Sequence, residues 1–98
     1  MLTIYQSQQF TCPGSSGHWA SITPGSGSQL VSVGWQNGGM AINFWASQNF
    51  IQSNGTSFTQ VQNSSLTSTD FWIWAILYTP DTADAKAAEP TVSDGKVE

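Results

Sequence analysis

Three side chains in the first eighty residues could do covalent chemistry together: Cys12 as a thiolate nucleophile, His18 as its base and Asp70 as the carboxylate that orients the imidazole. That stretch holds one Cys, one His and one Asp, so any active site would have to use nearly all of them. Nothing in their spacing supports it. No Gly-x-Ser-x-Gly elbow and no cysteine-protease context surrounds them. Their types fit structural roles instead, with Cys12 as a small, semi-apolar core residue, His18 capping a strand beside a glycine loop, and Asp70 ending a Ser/Thr-rich turn. The same three ligands fall short of the four that close a structural zinc site, and one carboxylate cannot supply the six to eight oxygens of a calcium site. Paired carboxylates for glycoside hydrolysis are missing, and the glycine segments Gly14 to Gly17 and Gly25 to Gly27 lack the lysine of a P-loop. We therefore expect a protein that is not an enzyme and uses no metal and no cofactor.

What remains for recognition is aromatic and neutral. Ser, Thr, Gln and Asn make up 38 of the 98 residues, while only 8% are charged. There is no Arg, and the two lysines, Lys86 and Lys96, follow Pro80, so the body has no means of neutralising phosphates and no nucleic-acid partner is expected. Five of the six acidic residues also follow Pro80, which leaves Asp70 as the one charged side chain before it. Such a surface lacks the mixed charges that oppose self-association. Trp45, two residues from Asn43, could stack on the C–H face of an uncharged sugar while amides and hydroxyls bind its rim. Asn54-Gly55-Thr56 and Asn63-Ser64-Ser65 match the glycosylation pattern, at a level that chance supplies in so Ser/Thr-rich a chain.

The elements that must position these groups read as strands. Before Pro80 no stretch repeats apolar residues at the helical period, and β-branched, aromatic, Ser, Asn and Gly residues prevail. Asn37-Gly38 predicts a two-residue type I′ turn between Leu30–Gln36 and Gly39–Trp45, pairing Trp35 with Met40, Val33 with Ile42 and Val31 with Phe44 on an apolar face. Gly34 with Ala41 and Ser32 with Asn43 fall on the other side. Asn54-Gly55 predicts a second hairpin, pairing Ile51 with Phe58. Further strands are expected at Leu2–Phe10, His18–Thr23 and Phe71–Thr79, with loops at 12–17 and 24–28. Six or seven short strands with frequent turns indicate an all-β fold: an antiparallel sandwich, a jelly roll or a small barrel.

Phe71–Tyr78 is apolar on both faces, with Phe71, Ile73, Ala75 and Leu77 on one and Trp72, Trp74, Ile76 and Tyr78 on the other. Large aromatics bury roughly 150 to 250 Å² each, so the second face calls for cover. Residues 1–80 are expected to form the β domain and residues 81–98 an acidic C-terminal tail, flexible or partner-bound. With neither a signal peptide nor a transmembrane segment to read, synthesis in a cytoplasm without membrane association is expected. The reading that follows is a structural subunit that associates with itself and other subunits through Trp72, Trp74, Ile76 and Tyr78. Its best-fitting setting is a virion component made in a host cytoplasm, such as a capsid, decoration or tail protein. The alternative is a lectin-like module that binds glycan through Trp45 and Asn43.

Overall fold

The computed structural model describes residues 1–39 and 43–97. In chain order its strands are β1 (Leu2–Gln6), β2 (Phe10–Cys12), β3 (Ser16–Thr23), β4 (Gln29–Asn37), β5 (Phe44–Ile51), β6 (Ser57–Asn63), β7 (Thr69–Tyr78) and β8 (Thr91–Val97). All pairings are antiparallel, and no helix occurs among the described residues. Two four-stranded sheets share one core, an arrangement consistent with a β-sandwich.

Alternation along β7 organises the first sheet. β7 is its central strand, with β1 and β2 end to end along one side and β4 along the other. Phe71, Ile73, Ala75 and Leu77 point inward and are buried. The expected single strand over Leu2–Phe10 divides because the buried Ser7 takes over part of the ladder. Its N–H donates to the Ile73 carbonyl at 2.9 Å, and its hydroxyl accepts from the Ile73 N–H at 3.0 Å.

The second sheet runs β5-β6-β3-β8. It contributes Ala20, Ile22, Phe44 and Val61 to a core shared with Phe10, Leu30 and the inner row of β7. Bulges between Leu30 and Ser32 and between Ala46 and Gln48 reset the alternation. The first of these lets both Leu30 and Val33 reach the core while Val31 stays half-exposed.

The first expected hairpin does not form. β4 pairs with β7 and β5 with β6, so Val31 and Phe44 lie in different sheets, and Ser32 stands opposite Ile76 rather than Asn43. The pairings expected of Met40, Ala41 and Ile42 lie outside the described residues. A type I′ turn needs positive φ at both central residues, and neither Asn37 nor Gly38 has it, because pairing with β7 claims both. Gly38 instead extends the β4–β7 ladder, its N–H donating to the Asp70 carbonyl at 2.7 Å, and the Asn37 Oδ1 accepts from Gly39 N–H and from the Thr69 hydroxyl. The second hairpin forms one residue out of the expected register, pairing Phe50 with Phe58 and Ile51 with Ser57. Only Gly55 has positive φ there (89°), and Gly55 N–H donates to the Gln52 carbonyl while Gln52 N–H donates to that of Thr56. That is a three-residue loop closed by a glycine bulge.

Residues after Pro80 do not all stay outside the fold. Loop 79–90 leads into β8, which adds to the edge of the second sheet beside β3.

Candidate functional site

Cys12, His18 and Asp70 are not brought together. Cys12 is fully buried, its thiol donating to the Ser16 carbonyl at 3.6 Å, and burial pushes the thiol pKa up. A nucleophile needs the opposite shift. His18 is a core residue rather than a strand cap, packed against the rings of Phe10 and Phe71. Its Nε2 meets Asp94 Oδ1 of β8 at 2.5 Å, and its Nδ1 is buried without a hydrogen-bond partner. Asp70 faces outward and accepts from the Thr11 hydroxyl at 2.9 Å. No cluster of three or more His, Cys, Asp or Glu side chains capable of holding a metal occurs among the described residues, and no helix there is long and apolar enough to cross a membrane.

Chemistry concentrates instead on the outer faces of the sheets. On β7, Trp72, Trp74, Ile76 and Tyr78 form one outward row. Register puts Ile4 opposite Ile76 and Leu2 opposite Tyr78 from one side, and Ser32, Gly34 and Gln36 opposite Ile76, Trp74 and Trp72 from the other. The glycines explain how the indoles lie. A methyl group at position 34 would sit 2.8 Å from Trp74 Nε1 and closer still to Cζ2 and Cε2, while one at position 38 would meet the six-membered ring of Trp72. Trp74 lies across Gly34 of β4 and Trp72 across Gly38 just beyond it, and both indoles are partly buried. Leu2, Ile4 and Tyr78 are 63%, 80% and 42% exposed, so the apolar row continues past the partly buried rings. Beside Trp74, Ile4, Gln6, Gln36 and Ile76 line an open hollow of about 360 Å³. Asp70, at the end of the row, is the charged residue on β7.

The other sheet also shows aromatic rings outward. Trp19 packs on Phe58, and Phe58 on Phe50, with centroids 5.7 and 6.0 Å apart. At the opposite end of that face Trp45, 47% exposed, stands across from Gln62 and lines a cavity of about 450 Å³ with Ser15, Ser16, Gly17, Asn63 and Ser64. Asn43 is not in its lining; the Asn43 carbonyl accepts from the Ser64 N–H and hydroxyl.

Sequence reasoning named the outward row of β7 and Trp45, and missed Leu2 and Ile4. The alternation of Leu2, Ile4 and Gln6 carried a signal, but which face of the sheet they join depends on pairing with β7 across about seventy residues. Comparison with protein-family models, curated proteins and solved structures finds no match for this chain.

Proposed function

We propose that this chain is a non-enzymatic structural subunit that associates with copies of itself through the outer face of the β1-β2-β7-β4 sheet. The observation that carries the reading is the continuous row of Leu2, Ile4, Trp72, Trp74, Ile76 and Tyr78 on a face whose polar neighbours, Gln6, Ser32 and Gln36, are uncharged. Apart from Asp70 at the end of the row, a copy meeting that face brings no like charge against it. Each amide is both donor and acceptor, so Gln6 and Gln36 can satisfy their own counterparts across a two-fold axis.

Area supports the same occupant. With strands about 4.8 Å apart and a rise of about 3.3 Å per residue, the face measures on the order of 500 Å². Two copies face to face would then bury about 1,000 Å², the lower limit for a specific interface, and the aromatic content supplies the kind of residues that dominate such contacts. A virion component is the setting we propose, on the charge-poor body and neutral polar surface; the inference to that setting is by association.

Ile4→Lys tests the reading, because this side chain is exposed and carries no part of the core. Light scattering after size exclusion should show the wild-type assembly reduced to monomer in the variant, with an unchanged circular dichroism spectrum. An assembly undiminished by the lysine would overturn this choice of face.

A further inference from the structure

The Trp45 cavity lies on the other sheet, where β3 and β5 begin and β6 ends, and is independent of the association face. We infer that it is a binding site for an uncharged pyranose sugar. Its lining is one indole and the neutral side chains of Ser15, Ser16, Gln62, Asn63 and Ser64 around Gly17, without a charged group. That combination matches a ligand with one apolar C–H face and a rim of hydroxyls. It offers nothing to a phosphate or a carboxylate, which need a cation or converging N–H donors. The hollow is open to solvent, and its volume of about 450 Å³ is enough for a single sugar ring seated on the indole.

The polar groups are set in the sense that a sugar requires. The Ser16 hydroxyl donates to the Pro13 carbonyl at 2.8 Å and the Ser64 hydroxyl to that of Asn43 at 3.3 Å, so each keeps oxygen lone pairs to accept from sugar hydroxyls. Gln62 Nε2 reaches Ser47 Oγ at only 3.4 Å, the long end of the hydrogen-bond range, so its amide can be recruited at little loss.

The walls are fixed before any ligand arrives. Asn63 is 2% exposed and acts as a positioning residue: its Nδ2 donates to the carbonyls of Cys12, Pro13 and Thr67, and its Oδ1 accepts from the Ser65 N–H and hydroxyl. It thereby ties the loop before β3 to the loop after β6. Ser15, held with φ of 54°, adds a backbone bond from its N–H to the Ser65 carbonyl at 2.9 Å. Gly17 leaves room for the Gln62 side chain, whose Oε1 lies 2.9 Å from where a Cβ would stand. Preorganisation of this kind lowers the ordering cost of binding.

Saturation-transfer NMR on the full chain tests the site, with glucose, galactose, mannose and N-acetylglucosamine and their disaccharides as neutral probes and sialic acid as the acidic control. At least one neutral sugar should bind, sialic acid should not, and Trp45→Ala should weaken binding at least tenfold while Trp74→Ala leaves it unchanged. Gln62→Ala, a rim substitution that leaves the indole in place, should weaken it several-fold and serves if the tryptophan variant is misfolded. Failure of every neutral probe to bind would overturn the inference, as would binding that survives both cavity variants or depends on Trp74. None of these results bears on the association face.

Discussion

Replacing Gly34 by alanine sets two effects against each other, and the structure decides the sign. At a strand position with ordinary φ, alanine should stabilise by about 0.4–1 kcal/mol, because it narrows the unfolded ensemble. The new methyl group, however, would stand 2.8 Å or less from three atoms of the Trp74 indole, where packed carbons keep about 3.5–4.0 Å. The ring must rise by about 1 Å or swing away. If a partly buried indole thereby gives up on the order of 60–100 Å² of contact, the loss at about 25 cal/mol per Å² is roughly 1.5–2.5 kcal/mol. The net expectation is a destabilisation of about 1–2 kcal/mol, or a fall in Tm of roughly 5–10 °C for a chain of this length. Guanidinium titration followed by circular dichroism measures it, and tryptophan emission should shift to the red as the ring leaves its seat. In a Trp74→Ala background the same Gly34→Ala change should become neutral or stabilising, since only the backbone effect survives. Equal or greater stability of Gly34→Ala in the wild-type background would refute the account of why these glycines face these indoles.

Asn63→Asp removes the two N–H donors that the amide shares among three carbonyl oxygens and buries a charge against them, so it should cost about 3 kcal/mol or more in chemical denaturation and exceed Asn63→Ala. Asp94→Ala leaves the buried His18 with neither ring nitrogen paired. A loss of about 1–3 kcal/mol is expected, with hydrogen exchange accelerating in β8 before β7. Cys12 should resist alkylation at pH 8 in the native state and react fully once the chain is denatured. Because burial raises its pKa above the ordinary 9.0, the unfolded chain loses this proton first as pH rises. The contribution of Cys12 to stability is therefore complete below pH 9 and declines above it, which melting curves from pH 7 to about 10.5 would show.

Alternation was the legible part of the fold. β7 advertises both faces in its own residues, and its inner and outer rows stand as read. The Asn-Gly turns were less faithful, for different reasons. At Asn54-Gly55 the turn is in place, but the glycine closes a bulge and moves the register by one residue. At Asn37-Gly38 the glycine gives room to the ring of Trp72, a demand that arises only once β4 lies beside β7. β8 was illegible because its attachments are remote. His18 meets Asp94 across 76 residues, and the backbone and ring of Trp19 lie where a side chain at Gly95 would go. Of the candidate sites, the tryptophans were legible by type and alternation. Their neighbours Leu2, Ile4, Ser15, Gln62 and Asn63 are assembled by pairing between distant segments, which no local pattern records.

Sedimentation velocity of the full chain over a concentration series, repeated between about 0.05 and 1 M salt, addresses self-association through a β-sheet face with one charged residue at its end most directly. The account predicts a species heavier than the monomer whose population grows with concentration and barely changes with salt, since no ion pair holds the face together. A monomer at every concentration and ionic strength would contradict it.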